Sequence, residues 1–310
     1  MNREQKLGGL YGLLIGDAVG VPYEFHPAEE LPPLHDLEMI PPKSFPRAHA
    51  QVLPGTWSDD GAQALCLLES LVECGQLELT DFSQRLWAWY ERGLWAVDGH
   101  VFDVGVQTAA SLRAFHSGAS PEQSGNANPD GKGNGSLMRV LPLALWHKGT
   151  DEELVKDAHM QSLVTHAHRT NQVACALYCL WVREAAAGVE MEEGYGYAVK
   201  KLRAIYGNES EERKELDWSI RPEAEAVSHG GGYVVETLRS VRIATKEPSY
   251  EKVVKKAISL GNDTDTNAAI AGGLYGVKTG VSGIPQRWLE RLREKEKVEE
   301  LVQKWIGKMD

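Results

Sequence analysis

Two short segments of the chain combine carboxylate and hydroxyl side chains in a pattern that suits metal ions. The segments are Ser58-Asp59-Asp60 and Asp263-Thr264-Asp265-Thr266. Oxygen ligands with no His or Cys beside them are hard ligands, which favour Mg²⁺, Mn²⁺ or Ca²⁺ over zinc and copper. Together with Glu24, the two segments hold five carboxylates. This charge predicts a pair of divalent cations, because a single cation would leave it strongly under-compensated.

The same residues could also serve as plain helix caps. Ser, Thr and Asp before an apolar helix accept hydrogen bonds from its first N–H groups, and the acidic charge opposes the positive end of the helix dipole. A cap needs one acceptor, however, and adjacent carboxylates such as Asp59 and Asp60 repel one another. The consecutive acids therefore favour a positive ion between the two segments, and both interpretations stay open at this point.

The elements that position these segments are predicted to be helices. Apolar residues recur at helical spacing along most of the chain, and alternating strand patterns of useful length are scarce. The predicted helices cover 60–74, 81–92, 173–187, 232–244, a stretch opened by Ser249-Tyr250-Glu251 and a stretch after Thr266. The last stretch has a face of small residues, Ala268, Ala269, Gly272, Gly273 and Gly276. We therefore predict an all-α, bundle-like fold in which this helix is central, closely approached by a neighbour, and directed with its N-terminus at the metals.

Four separated segments occur in an order that is typical of one enzyme family. They are Gly16-Asp17-Ala18 with Pro22-Tyr23-Glu24-Phe25, Trp57-Ser58-Asp59-Asp60, Gly133-Asn134-Gly135-Ser136-Leu137-Met138-Arg139, and Gly261-Asn262-Asp263-Thr264-Asp265-Thr266. In this conjunction, which spans most of the chain, the sequence resembles the ADP-ribosylglycohydrolases, the family of the dinitrogenase reductase-activating glycohydrolase. The resemblance implies a multi-helix bundle of the ADP-ribosylglycohydrolase type. Since no Ser/Pro/Gly linker divides the chain, we expect residues 1–310 to form a single domain.

The resemblance also implies an activity, which is hydrolysis at the anomeric carbon of ADP-ribose by a centre of two Mg²⁺ or Mn²⁺ ions. Carried over to matching positions, the metal ligands would be Ser58, Asp59, Asp60, Asp263, Asp265 and Thr266. Glu24 would lie close to the metals, and it is the first candidate for acid/base catalysis because a Glu not fully committed to them can exchange protons. Asp103 is the second catalytic candidate, since family members that act on arginine have an acidic residue in this region facing the leaving guanidinium.

Two positions beside the first acidic segment depart from the family pattern. Ser58 stands where Thr is usual and keeps the hydroxyl ligand. Gly61 stands where another Thr is usual and removes a side chain beside the site. We expect Gly61 to widen the site or to loosen the helix start, because Gly costs roughly 1 kcal/mol relative to Ala inside a helix.

Substrate contacts are implied around a glycine-rich segment, Gly131 to Ser136, which precedes a predicted helical stretch broken by Pro142. A glycine-rich turn before a helix N-terminus offers N–H groups to phosphate, although a flexible surface loop is the alternative. The resemblance assigns the loop to the diphosphate. The implied substrate-binding residues are Gly133, Asn134, Gly135, Ser136, Met138, His166 and Tyr233. For Tyr233, expected near the adenosine, a core position is the alternative. Arg139 is interpreted as a salt-bridge partner, with a phosphate contact as the less favoured alternative.

The composition argues against several other classes of protein. A formal net charge of −11 over 310 residues opposes binding to nucleic acid and to anionic membranes. No stretch approaches the ~20 apolar residues of a membrane span, and the first apolar run lacks the features of a secretory signal. We expect a cytoplasmic monomer that acts on an ADP-ribosylated protein or a small ADP-ribose conjugate.

The acceptor is the least determined part of the functional prediction. Arginine on a protein is favoured, while serine-linked ADP-ribose, poly-ADP-ribose, O-acetyl-ADP-ribose and a modified nucleotide share the same recognised portion. A non-catalytic ADP-ribose-binding or crystallin-like relative is a further alternative, which eroded metal ligands would indicate. The Asp263-Thr264-Asp265-Thr266 run also fits the nucleophile motif of haloacid-dehalogenase-like phosphatases. We reject that interpretation because the phosphatase motif follows an apolar strand near the N-terminus.

Overall fold

The regular elements of this computed structural model, which describes residues 1–308, are helices. The α-helices are α1 (Arg3–Gly20), α2 (Asp59–Cys74), α3 (Leu79–Arg92), α4 (Val106–His116), α5 (Pro121–Ser124), α6 (Leu141–Trp146), α7 (Asp151–Leu163), α8 (Arg169–Ala186), α9 (Met191–Tyr206), α10 (Glu211–Lys214), α11 (Val234–Ala244), α12 (Tyr250–Ile258), α13 (Thr264–Thr279), α14 (Gln286–Leu289) and α15 (Lys295–Gly307). No β-strand occurs in the described range, where isolated bridges link a few loops. The all-α prediction is confirmed. Within residues 1–308, no helix combines the length and apolar character needed to cross a membrane.

α1 and α13 form an antiparallel pair at the centre of the fold, and glycines determine how closely they approach. A Cβ added to Gly8 would lie 2.2 Å from the carbonyl oxygen of Gly276, and one added to Gly16 would lie 2.1 Å from that of Ala268. Such contacts leave no room for any side chain, so the two backbones touch directly. The predicted close approach at α13 is confirmed, and the end of α1 lies beside the start of α13.

Neighbouring helices are fastened to this pair by buried tyrosines. The Tyr178 hydroxyl of α8 donates a hydrogen bond to the carbonyl oxygen of Ile270, at 2.9 Å. The Tyr250 hydroxyl of α12 donates to the carbonyl oxygen of Gly12, at 2.7 Å. Because both acceptors are main-chain atoms of the central pair, these bonds hold α8 and α12 in register with it.

The start of α2 is fixed against the last turns of α1. The Asp17 carboxylate on α1 accepts hydrogen bonds from the backbone N–H groups of Ser58 and Gly61, each at 2.8 Å. Ser58 is the N-cap of α2, and its hydroxyl accepts the Asp60 N–H at 3.3 Å. A capping role for Ser58 is therefore present in the fold. The end of α1 and the starts of α2 and α13 converge as a result.

The prediction of a helical stretch that follows the glycine-rich segment and is broken by Pro142 is wrong. Residues 134–139 form bends and turns, and a helix begins only at Leu141. Pro142 lies in the first turn of α6, where its missing N–H costs nothing because that group has no intrahelical partner there. The glycine-rich segment thus leads into a compact turn and does not feed a long helix.

Candidate active site

The two acidic segments meet where the three helix ends converge. The Thr266 hydroxyl donates to Oδ1 of Asp60 at 3.2 Å, although the two residues are 206 positions apart in the chain. One carboxylate oxygen from each of Glu24, Asp263 and Asp265 lies within 4.8 Å of the others. Asp60 and Asp265 are fully buried. The structure therefore brings the predicted ligands of the two segments together, while metal binding itself stays a prediction.

Burial and crowding make these carboxylates hard to ionise. Desolvation raises the pKa of Asp59, Asp60 and Asp265 well above the ordinary value for Asp. The negative charges of neighbouring acids add to this effect, that of Asp17 on Asp60 and that of Glu24 on Asp265. A positive ion among the acids would reverse both contributions, since it favours the charged carboxylates.

Two carboxylate oxygens in the cluster have no hydrogen-bond partner. Oδ2 of Asp60 and Oδ2 of Asp265 are buried and unpartnered within the described part of the chain. The other oxygen of each carboxylate is bonded. The Thr266 N–H donates to Oδ1 of Asp265 at 2.8 Å, and the Thr266 hydroxyl donates to Oδ1 of Asp60. Buried polar atoms are nearly always paired, and a cation is one of the explanations for an exception. The donor set is all oxygen, so these residues fit a hard divalent cation.

Side chains outside the cluster orient Asp59. The Gln63 amide donates to Oδ2 of Asp59 at 2.9 Å, and Arg139 donates to Oε1 of Gln63 at 2.9 Å. Arg139 is fully buried, and its other hydrogen bonds go to Gln161. The interpretation of Arg139 as a salt-bridge partner is wrong, because within residues 1–308 it donates to amide and carbonyl oxygens. It places a buried positive charge behind Asp59.

A cleft of roughly 650 Å³ opens above the acids. Its lining includes most of the predicted site residues, namely Glu24, Asp59, Asp103, Gly133, Asn134, Gly135, Met138, His166, Asp263 and Thr266. Asn134 links its two sides, because its amide donates to Oδ2 of Asp263 at 2.6 Å. Ser58, Asp60 and Asp265 lie outside this lining, and the last two form a buried floor. The glycine-rich loop and the acidic cluster are thus two walls of one cleft.

Ser136 does not contribute its side chain to the cleft. Its hydroxyl is buried, accepts a hydrogen bond from Ser162 at 2.8 Å and contacts the Cys175 sulfur at 3.5 Å. The turn therefore directs the Ser136 hydroxyl into the core, and substrate binding by Ser136 stays a prediction. The backbone N–H of Gly135, a residue that lines the cleft, has no backbone acceptor within residues 1–308, so the loop offers this donor to an anion.

His166 lines the cleft, whereas Tyr233 lies outside the cleft lining. His166 is buried, and Nδ1 bonds with the Thr165 hydroxyl at 2.8 Å. Burial and the nearby Arg139 charge lower the pKa of His166 to about 3, so it is a neutral hydrogen-bonding ring. Tyr233 is 41% exposed and pairs through its backbone with Gly133, so the core alternative for it is wrong.

The segment around Asp103 lines the cleft beside Glu24. Asp103 has a left-handed backbone, with φ of 56°. Burial and the charge of Asp263 raise the pKa of Asp103 to about 6. The Gln107 amide donates to the carbonyl oxygens of Thr165 at 3.1 Å and of Gly131 at 3.3 Å. Gln107, which also lines the cleft, therefore joins these two loops.

Gly61 does not widen the site. A Cβ at this position would lie 2.8 Å from Cγ of Trp57 and 2.9 Å from Cδ2 of Leu14. The space of a larger residue is therefore filled by core side chains, and the N–H of Gly61 is held by Asp17. The expected loosening of the helix start is wrong for the same reason.

Two residues beside the acids were missed by sequence reasoning. Asp17 bonds the start of α2, and burial raises its pKa to about 7. His49 places Nε2 only 2.6 Å from Oε2 of Glu24. Burial and the charge of Asp103 raise the pKa of Glu24 to about 10. Asp17 could have been found as a lone acid in an apolar, glycine-rich helix, whereas the irregular segment around His49 carries no such signal.

Comparison with known proteins agrees with this arrangement. A family model described as ADP-ribosylglycohydrolase matches residues 2–310. The chain is 30% identical over 300 residues to the ADP-ribosylarginine hydrolase Tri1 of Serratia proteamaculans, covering 96% of this chain and 77% of the relative. It is 26% identical to the ADP-ribosyl-[dinitrogen reductase] glycohydrolase of Rhodospirillum rubrum, covering 93% and 90%. A solved structure titled ADP-ribosylglycohydrolase-related protein complex superposes with a TM-score of 0.78 at 28% identity, over 97% of this chain and 96% of that one.

Proposed function

Because the chain belongs to the ADP-ribosylglycohydrolase family and is a hydrolase of glycosyl bonds, we propose that it removes ADP-ribose from arginine on modified proteins. The observation that carries the arginine assignment is the pair of acids, Glu24 and Asp103, that lines the cleft beside the buried acidic cluster. An Asp carboxylate can pair with a planar guanidinium through two parallel hydrogen bonds. The names of the relatives from Serratia proteamaculans and Pseudomonas putida, both ADP-ribosylarginine hydrolases, support the same acceptor.

We propose that the cofactors are two divalent cations, Mg²⁺ or Mn²⁺. Their ligands would be Ser58, Asp59, Asp60, Asp263, Asp265 and Thr266. When bound, such ions would supply Lewis-acid stabilisation of the ribose hydroxyls and a water of lowered pKa. The two unpartnered buried oxygens of Asp60 and Asp265 support this proposal.

The remaining catalytic roles would belong to residues that line the cleft. Positive charge develops at the anomeric carbon during hydrolysis, and the carboxylates of Asp59 and Asp263 line the cleft where they would stabilise it. Glu24 would exchange the proton of the attacking water at Oε1, because Oε2 is bonded to His49. Asp103 would hold the guanidinium and orient it as a leaving group.

The glycine-rich side of the cleft suits the diphosphate and the adenosine of ADP-ribose. The N–H of Gly135 would donate to the diphosphate, since main-chain N–H groups in a tight turn form an anion site. His166 lies against Gly135, and a Cβ there would be 2.7 Å from its ring. Tyr233, exposed and joined to Gly133, would stack on the adenine.

A substrate panel tests this function. Purified protein with Mg²⁺ or Mn²⁺ is assayed on arginine-linked and serine-linked ADP-ribose, and release of ADP-ribose is measured. We expect Asp103→Ala to slow arginine-linked turnover by one to two orders of magnitude, about 1.4 to 2.8 kcal/mol of transition-state stabilisation, with little change in ADP-ribose affinity. Asp98→Ala is the matched control, because Asp98 has the same φ of 56° and lies outside the cleft lining.

Three results would contradict parts of the proposal. Efficient cleavage of serine-linked ADP-ribose with no cleavage of the arginine adduct would refute both the acceptor and the role of Asp103. Equal losses in Asp103→Ala and Asp98→Ala would indicate a backbone effect, since both variants remove an Asp from a left-handed position. Tight ADP-ribose binding with no turnover of any linkage would favour the binding-protein alternative.

A further inference from the structure

His49 forms a short, shielded contact with the Glu24 carboxylate. Nε2 of His49 lies 2.6 Å from Oε2 of Glu24, and the two side chains are 11% and 6% exposed. This contact joins residues 25 positions apart, and His49 lies in an irregular segment between α1 and α2. A hydrogen bond of this length to a largely buried carboxylate restricts how the carboxylate can turn.

Aromatic rings hold the His49 imidazole in place. Its ring centroid lies 5.5 Å from that of Phe25 and 5.0 Å from that of Phe102, with tilted planes at both contacts. Phe25 follows Glu24 directly, and Phe102 precedes Asp103. One ligand atom from each of Glu24, His49 and Asp103 lies within 4.8 Å of the others. His49 therefore stands beside both acids that the proposed function assigns to catalysis.

The backbone around this contact adopts a sparsely populated conformation. Phe25 has φ of 63°, His49 has 46°, Asp103 has 56° and Asn262 has 59°. The N–H of Phe25 donates to the carbonyl oxygen of Asn262 at 2.7 Å, so the segments are bonded to each other. Left-handed backbone at non-glycine residues costs of order 1 kcal/mol or more each, and it persists where surrounding contacts impose it. Its concentration here indicates that the position of Glu24 is imposed by the fold.

We propose that His49 is a positioning residue, which donates from Nε2 to Oε2 of Glu24 and thereby holds Oε1 toward the reacting groups. The inference rests on the proposed role of Glu24 in proton exchange. His49 itself lies outside the cleft lining, so it acts through Glu24 and does not touch the substrate. Without the donor, Glu24 would turn among several orientations, and a smaller fraction of molecules would be ready to react.

Two substitutions separate the hydrogen bond from the packing of the ring. His49→Phe keeps an aromatic ring between Phe25 and Phe102 but removes the donor. His49→Gln loses the ring but keeps an N–H donor at a similar reach. His35→Gln is the control, because the His35 side chain is 80% exposed. Each variant is assayed for kcat, for KM and for ADP-ribose affinity, and thermal unfolding verifies that it is folded.

We expect His49→Phe to lower kcat by about ten- to a hundredfold, with KM and ADP-ribose affinity changed less than about twofold, because only proton exchange is impaired. We expect His49→Gln to stay within about fivefold of the wild-type kcat, since it restores the donor. Wild-type kcat in His49→Phe would overturn the inference, as would equal losses in both variants. A raised KM with unchanged kcat would show instead that His49 contacts the substrate.

The comparison is made on whichever ADP-ribose linkage the wild-type protein cleaves. A wild type that cleaves serine-linked ADP-ribose and not the arginine adduct refutes the proposed acceptor but leaves the ratio between the two His49 variants as a test. A wild type that cleaves arginine-linked ADP-ribose, together with an unimpaired His49→Phe variant, refutes the positioning role alone.

Discussion

The substitution Asp60→Asn distinguishes a metal site from a structural helix cap, because the two interpretations predict opposite changes in the stability of the metal-free protein. The Asp60 side chain is fully buried, with one oxygen bonded to Thr266 and the other unpartnered. Asn has nearly the same shape and removes the charge. If the acids exist to bind cations, the substitution should stabilise the protein without metal and abolish the stabilisation that metal provides.

The size of the expected stabilisation follows from the free energy needed to keep the Asp60 carboxyl neutral in the folded protein. An unfolded Asp has a pKa of 3.8, and burial raises that of Asp60 well above it. At pH 7, protonating such a group costs at most about 3 pH units at about 1.4 kcal/mol each, so the ceiling is about 4 kcal/mol. The new amide N–H group needs an acceptor, and leaving it unsatisfied costs about 1 to 3 kcal/mol. We expect metal-free Asp60→Asn to be more stable than wild type by about 1 to 3 kcal/mol at pH 7, and by less at pH 5.

Urea unfolding in EDTA and in MnCl₂ measures both effects. With Mn²⁺ at a hundredfold excess over its dissociation constant, each site adds about 2.7 kcal/mol to the wild-type protein. Asp60→Asn should gain less than about 1 kcal/mol under the same conditions, and its turnover should be lost. Asp36→Asn is the control, because Asp36 is exposed on a short helical turn away from the cleft.

One pattern of results would refute the reasoning. If Asp60→Asn destabilised the metal-free protein and kept the full response to Mn²⁺, Asp60 would be a structural part of the α2 start. Loss of stability with loss of the metal response would indicate a misfolded variant. Near-ultraviolet circular dichroism, which reports on buried tryptophans such as Trp57, identifies that outcome before the titrations are interpreted.

Three further predictions concern stability and binding. In metal-free protein, burial raises the pKa of Asp17 from 3.8 to about 7, so the folded state binds more protons than the unfolded state; the urea midpoint should fall between about pH 4 and pH 7, and a rise would contradict this. Gly16→Ala places a Cβ 2.1 Å from the Ala268 carbonyl oxygen and should cost at least about 3 kcal/mol of unfolding free energy in urea titrations. The control Gly196→Ala, with open space around it, should stabilise by up to about 1 kcal/mol. Tyr233→Ala should weaken ADP-ribose binding about fivefold in calorimetry, about 1 kcal/mol, and an unchanged affinity would exclude stacking.

The helices and the close approach to α13 could be predicted because their signals are local. Apolar residues at helical spacing indicate helices wherever they occur, and the small face of α13 required a close neighbour. The identity of that neighbour was not predicted, although Gly8, Gly12 and Gly16 repeat every fourth residue of α1. To pair the two small faces, one must know which helices lie side by side in the fold. The sequence of either helix alone does not contain that information.

The site was harder to predict because side-chain direction depends on packing. The acids could be grouped from their chemistry, since repelling charges need a common counter-charge. Ser136 was grouped with the substrate-binding residues, and no sequence signal indicated that the turn directs its hydroxyl to Ser162. The effect of Gly61 was misjudged because Trp57 fills the space that a side chain at position 61 would need. Trp57 precedes the acids in the chain but packs against Gly61. His49 lies in a segment without periodicity, so its contact with Glu24 had no sequence signal.

The close backbone contact between α1 and α13, which glycines allow, explains how a cluster of repelling acids can be held in a fixed geometry. Desolvation and mutual repulsion raise the pKa of Asp60 and Asp265, so ionising both acids without a cation would push the starts of α2 and α13 apart. Side chains at an ordinary helix interface could adjust their rotamers to allow such a movement. The Gly16 contact with Ala268 is between backbones, and backbone atoms in regular helices cannot adjust in this way. Because Asp17 on the same turn of α1 bonds the first N–H groups of α2, both acidic segments are fixed relative to α1. The rigid part of the fold thus lies directly behind the cluster, where cation binding needs it.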